Sequence, residues 1–174
     1  MERRLAEIAA LEIEWCLRAN RWLRRAGVGR FFGAVSWLGN GWFWYALAVV
    51  LAAFGGPVGR DAALLMVATG LGTLVVYKAV KHSIGRPRPC EAHRGLEILV
   101  APLDRWSFPS GHVMHSVAFS LVAIAYVPAT AWVVLPFTVL VATSRVVLGL
   151  HYPTDCLAGA AAGTVAAAIA ILLA

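Results

Sequence analysis

The sequence predicts an all-α fold: a polytopic membrane helical bundle of about five transmembrane helices, with an N-terminal amphipathic helix lying in the interface. Three observations lead there. Hydrophobic residues make up 60% of the 174 positions and charged residues only 14%, with a mean hydropathy of +0.75, well beyond a soluble domain. The apolar residues gather into long runs separated by turn formers. The later runs lack the polar face that a helix folding in water must carry.

The first segment, residues 1–30, is too often interrupted by charge for a signal peptide, since Glu7, Glu12 and Glu14 break any apolar core. Leu5, Ile8, Leu11, Trp15, Ala19 and Trp22 recur at helical spacing, with Arg3, Glu7, Glu14, Arg18, Arg21 and Arg25 opposite. That pattern predicts a helix lying along a membrane surface. Apolar runs follow at about 41–54, 62–80, 113–127, 129–143 and 157–174. Trp42, Trp44 and Tyr45 open the first and suit the water interface. Gly55, Gly56 and Pro57 close it, and Pro128 separates the third from the fourth. In the last run Gly159, Gly163 and Ala167 are four apart, a stripe for close helix packing in lipid. No low-complexity tether divides the chain, so 1–174 reads as one unit with the transmembrane core at 41–174.

The net charge of +6 does not point to nucleic acid, because the basic residues sit at the ends of apolar runs rather than on a soluble face. Such positions meet anionic head groups and phosphate. Cys16, Cys90 and Cys156 have no metal-type spacing and read as packing residues or free thiols, with a Cys90–Cys156 bridge as the alternative.

Counting crossings places three polar clusters on one side of the membrane: 81–89, 109–112 and 144–155. Ionisable residues converging at helix ends in a bilayer mark a functional site. Lys81, Arg88 and Arg145 are cations, and the arginine fork can grip two phosphoryl oxygens. Ser110 and Gly111 open a helix whose free N–H groups form an anion site. His112 follows them, and His151 precedes Pro153, a residue suited to a first helical turn. Asp155, four residues after His151, is placed to accept a hydrogen bond from one ring nitrogen and leave the other as a nucleophile.

These residues carry a resemblance. The chain is similar to the type 2 phosphatidic acid phosphatases, whose signature K-x6-R-P, P-S-G-H and S-R-x5-H-x3-D is present without substitution. The first part is Lys81, Arg88 and Pro89. The second is Pro109, Ser110, Gly111 and His112. The third is Ser144, Arg145, His151 and Asp155. The resemblance implies that His151 attacks phosphorus and forms a phosphohistidine while Asp155 fixes its tautomer. It implies that His112 protonates the leaving group and then activates water. Lys81, Arg88, Ser110, Gly111 and Arg145 would hold the phosphoryl oxygens, and no metal or other cofactor is expected. Arg86 and His115 are secondary candidates for the site. Ser144 could bond phosphate or a neighbouring backbone. Asp104 and Arg105 are expected at the entrance, and Lys78 as a snorkelling side chain.

A catalytic rim at the bilayer surface argues for a lipid phosphate or pyrophosphate as partner, with membrane lipids around it. Among such enzymes the layout looks most like the bacterial undecaprenyl-diphosphate type. A phosphatase of soluble esters is the nearest alternative, and a non-catalytic lipid-binding or transport protein the alternative from another class. The soluble vanadium haloperoxidases share the pocket but not this composition. The resemblance favours a bacterial inner membrane with the site on the periplasmic face, against the positive-inside rule applied to the arginine-rich N-terminus.

Overall fold

The computed structural model describes residues 2–102 and 104–174, and the side chains from residue 7 onward. The expectations for Arg3 and Leu5 therefore lie outside the described side chains. Helix α1 spans Glu2–Asn20 and ends in a 3-10 turn, Arg21–Arg24. Helices α2 (Val28–Trp37) and α3 (Phe43–Phe54) are joined by a π turn at Leu38–Trp42. Helix α4 is Gly56–Ile84, α5 the short Pro89–Ala92, α6 Gly111–Tyr126, α7 Ala131–Val147 and α8 Pro153–Leu173.

Among the described residues, four segments are long and apolar enough to cross a membrane: Val28–Phe54, Gly56–Ile84, Pro128–Val147 and Pro153–Leu173. The first begins well before the apolar run at 41–54. Gly39, Asn40 and Gly41 separate that run from the residues before it in sequence, yet the chain passes through them as a helix kinked at Gly41, whose φ is +130. Residues 28–30, expected in the interfacial helix, belong to this span.

Helix α6 is shorter, with 16 residues, about 24 Å at 1.5 Å per residue. It packs against α4, α7 and α8, so most of its flank meets protein instead of lipid. Val113, Ala118, Val122 and Ala123 are almost fully buried. Around it Trp44, Met66, Phe119 and Val134 form the main core. The outward faces are apolar as well: Leu64, Leu71, Val75, Val139 and Leu157 are all exposed. A shell of this kind is disfavoured in water over such an area and suits hydrocarbon. The chain is an integral membrane protein.

The glycine stripe of α8 sets how closely α6 approaches. A Cβ at Gly159 would fall 2.5 Å from the Ser110 carbonyl oxygen, and one at Gly163 would strike the backbone of Met114. Small residues thus let two backbones touch, and they bring the start of α6 against the first turns of α8.

The amphipathic pattern of α1 is oriented by its polar side. Ile8, Leu11, Trp15 and Trp22 are each about half-exposed, facing away from the bundle. Glu12, Cys16 and Asn20, at helical spacing, are buried against it. Asn20 Nδ2 donates to the carbonyls of Glu97 and Val147, each at 3.0 Å, and its Oδ1 accepts the Glu97 N–H at 2.7 Å. The three cysteines are free.

Candidate active site

Local structure at the ends of α4, α6, α7 and α8 explains why the motif spacings work. Helix α4 ends at Gly85, which adopts a left-handed φ of +63 and turns the chain into the extended stretch before Pro89. Lys81 lies in the last turn, at a cation-favouring helix C-terminus. Helix α7 presents Arg145 in its own last turn. Gly149 then takes φ +69, and the N–H groups of Leu150 and His151 donate back to the Arg145 carbonyl at 3.0 and 3.1 Å. That tight return brings His151 beside the arginine from which it is six residues removed. Asp155 lies in the first turn of α8, where its Oδ2 accepts the Tyr152 N–H at 2.8 Å and caps the helix.

Lys81, Arg88, Gly111, His112, Arg145 and His151 line one cavity of about 440 Å³, the volume range of small-ligand sites. Arg88, 1% exposed, is the hub. Its NH1 donates to the Leu150 carbonyl at 2.7 Å and lies 3.1 Å from His151 Nε2. Guanidinium can only donate, so this contact makes Nε2 an acceptor and leaves the ring proton on Nδ1. Nδ1 faces Asp155 Oδ2 at 3.6 Å, longer than a hydrogen bond, and is buried with no hydrogen-bond partner among the described residues. The dyad is thus aligned but loose. Burial, together with the nearby charges of Arg145, Arg88 and Lys81, holds the His151 pKa well below the ordinary histidine value, keeping the imidazole neutral.

Ser110 stands at the N-cap of α6, yet its hydroxyl makes no cap bond. Its N–H donates to the Asp155 carbonyl at 3.0 Å, tying α6 to α8. Ser110 lies behind Gly111 and, unlike Gly111, is not part of the cavity wall. Arg145 NH1 donates to Ser36 Oγ of α2. Arg145 Nε is buried with no hydrogen-bond partner among the described residues, a cost of about 1–3 kcal/mol that an anion's oxygens would relieve.

The secondary candidates separate. His115 lines the cavity one turn below His112, with Nδ1 2.8 Å from the Gly111 carbonyl. Ser144 does not line the cavity; it donates to the Val141 carbonyl at 2.6 Å, the backbone role. Arg86 is also absent from the cavity wall. It lies behind Asp155, donating to Oδ1 at 2.6 Å, to Thr154 Oγ1 at 2.9 Å and to Glu12 at 2.8 Å, so a direct substrate contact does not fit its position. Lys78 lines the cavity further along α4.

Asp104 was expected only at the entrance. Its carboxylate accepts from Lys81 Nζ at 2.8 and 2.7 Å and from Arg88 NH2 at 2.7 Å, while its carbonyl accepts Arg88 Nε at 2.8 Å. Partial burial works against its charge, but the two cations outweigh that and hold its pKa below the usual carboxylate value. The loop reaches this position by an antiparallel bridge from Pro87 to Trp106. Acidity alone does not single it out in the sequence, because the same loop carries Glu91 and Glu97.

From the end lined by His151 and the cations, the cavity runs sideways past Leu74, Leu71, Val67 and Trp44. Val67, Leu71 and Tyr45 line it and are also exposed on the bundle surface. Its flank therefore opens between α3 and α4, on the apolar outer face of the bundle.

Residues 61–174 match the PAP2 superfamily, and the chain belongs to that family. It is 36% identical over 121 residues, 67% of its length, to the decaprenylphosphoryl-5-phosphoribose phosphatase of Mycolicibacterium smegmatis. It is 31% identical over 115 residues, 64% of its length, to the undecaprenyl-diphosphatase BcrC of Bacillus subtilis. The matched stretches span 62% and 59% of those relatives' own lengths. In fold it is similar to Aquifex aeolicus LpxE, with a TM-score of 0.80 at 22% identity over 93% of this chain and 95% of that one. It is likewise similar to the transmembrane PAP2-type phosphatidylglycerolphosphate phosphatase of Bacillus subtilis, with a TM-score of 0.77 at 24% identity over 96% and 86%.

Proposed function

We propose that this chain hydrolyses a lipid phosphate or pyrophosphate in the membrane through a phosphohistidine on His151, with a polyprenyl-linked phosphate as the favoured substrate class. The observation that carries the reading is the cavity itself. One end gathers His151 Nε2, His112, Lys81, Arg88 and Arg145, and the other is apolar and open toward lipid. A head group fits the first and a hydrocarbon chain the second. Both named relatives act on polyprenyl-linked phosphates, as their names state.

In this mechanism the phosphoryl oxygens take the donors of Lys81, Arg88, Arg145 and the α6 N-terminus. Nε2 of neutral His151 attacks phosphorus in line, and the ring gains positive charge that Asp155 stabilises through Nδ1–H. His112 gives its proton to the departing oxygen. It then takes a proton from water, whose oxygen displaces the histidine from phosphorus and releases inorganic phosphate. The cations supply electrostatic stabilisation of the transferring group without a metal. The site faces the outer side of a bacterial inner membrane.

The test is a panel of substrates offered to purified protein in detergent with excess chelator: polyprenyl diphosphate, polyprenyl monophosphate, phosphatidate, phosphatidylglycerophosphate and a water-soluble phosphate ester. Phosphate release from the polyprenyl compounds in preference to the others supports the reading. Preference for the soluble ester, or turnover restored only by added magnesium, contradicts it.

A further inference from the structure

Behind the catalytic end lies a charged cluster that the reaction described above does not use. Glu12 of α1 is only 5% exposed, an uncommon situation for a carboxylate. Both its oxygens are engaged. Oε1 accepts the Thr154 N–H at 2.9 Å and the Thr154 hydroxyl at 2.5 Å, and Oε2 accepts Arg86 NH2 at 2.8 Å. Arg86 in turn grips Asp155 Oδ1 at 2.6 Å and stacks on the Tyr152 ring at 3.9 Å. Burial works against the Arg86 charge, but Asp155 and Glu12 outweigh it and hold its pKa above the usual value. Asp155 is fully buried, with Oδ1 held by Arg86 and Oδ2 shared between the Tyr152 N–H and the approach to His151 Nδ1.

We propose that Glu12 and Arg86 are positioning residues for the His151–Asp155 pair, so that the interfacial helix α1 is a working part of the active site. The inference rests on the proposed phosphohistidine mechanism. Two roles follow from the geometry. The first is orientation: Arg86 fixes the Asp155 carboxylate, and Glu12 fixes Arg86, so the oxygen facing Nδ1 cannot swing away. The second is charge. Glu12, Arg86 and Asp155 together carry one net negative charge behind the imidazole. Without Glu12 the sum is zero, and the positive charge that develops on the ring during attack loses its counterweight. Neither residue touches the cavity, so substrate binding should not depend on them.

The experiment is a double-mutant cycle on the full chain in detergent, with labelled polyprenyl substrate so that slow rates can be followed. Glu12→Gln keeps the shape and removes the charge. It is expected to lower kcat by about tenfold or more while KM and inhibition by vanadate stay within about twofold. In an Asp155→Asn background the same substitution should cost nothing further. Full kcat in Glu12→Gln overturns the proposal, as does an equal loss in both backgrounds, which would mark a merely structural effect. Should Glu12→Gln fail to accumulate, Arg86→Lys, which keeps the charge but cannot span both carboxylates, must show the same kcat loss, unchanged KM and non-additivity. Wild-type protein without lipid phosphatase activity would refute the functional reading instead, so the two failures are distinguishable.

Discussion

The ammonium of Lys81 touches both carboxylate oxygens of Asp104, at 2.8 and 2.7 Å. Together with Arg88, it is thereby paired with a resident anion at the spot where a phosphoryl group would be held. A phosphate dianion gains more from each cation than a carboxylate does, because the interaction scales with charge. It must nonetheless displace what is already there.

Asp104→Asn therefore predicts a lower KM and tighter vanadate inhibition. Asp104 is more than one-third exposed at its side chain, so solvent discounts the pair and the gain should be about two- to fivefold. Steady-state kinetics on purified variant and wild type read it. A KM that stays the same would contradict this competition, and one that rises would show that Asp104 assists binding.

The depressed pKa of His151 sets the acid side of the rate profile. In the proposed mechanism its neutral form attacks phosphorus and protonation would inactivate it, so the loss of kcat/KM from this group should come only as the pH falls below the free histidine value of about 6.5. Profiles corrected for ionisation of the substrate phosphate test this. An acid limb assigned to His151 at or above that value contradicts the buried, cation-flanked site. His151→Ala should lose at least about 10³-fold in kcat, with no acid-labile phosphate trapped on the chain.

Gly159 and Gly72 make opposite predictions from one substitution. Gly159→Ala places a Cβ 2.5 Å from the Ser110 carbonyl and forces α6 away from α8, costing about 1–3 kcal/mol and lowering kcat because Gly111 and His112 move. Gly72 in α4 has open space where the Cβ would go. Gly72→Ala should leave activity intact and hold or raise the melting temperature. Thermal unfolding in detergent with parallel assays separates them. Equal behaviour of the two variants would refute the packing argument.

An outward-facing site predicts that Arg94→Cys, exposed in the loop after α5, reacts with an impermeant maleimide in intact cells. The half-buried Cys90 is replaced by serine first. Labelling that requires permeabilisation would put the site on the cytoplasmic side.

Much of the architecture could be read from the residues. The apolar runs alone locate all five apolar helices, α3, α4, α6, α7 and α8, because nothing but lipid tolerates those outward faces. The gathering of Lys81, Arg88, His112, Arg145 and His151 at one end follows from parity plus motif spacing. What escaped the reading depends on contacts between distant segments. The start of the first span at Val28 was hidden by Gly39, Asn40 and Gly41, whose composition resembles a turn while the chain passes through them as a kinked helix. A spacing of two in an extended stretch would put Arg86 and Arg88 on one face, yet Arg86 turns to Asp155 and Glu12 while Arg88 lines the cavity. Only Arg88 enters the cavity, and only the fold shows Glu12 waiting on the other side, 74 residues earlier. On α1 the eye is drawn to the tryptophans, yet the buried stripe is Glu12, Cys16 and Asn20.

The sideways opening between α3 and α4 has a consequence for how turnover ends. Cleavage would leave one product dissolved in water and the other in oil, each departing by its own route. Accumulated dephosphorylated lipid and accumulated inorganic phosphate would then inhibit independently, the first according to its mole fraction in the bilayer and the second according to its aqueous concentration.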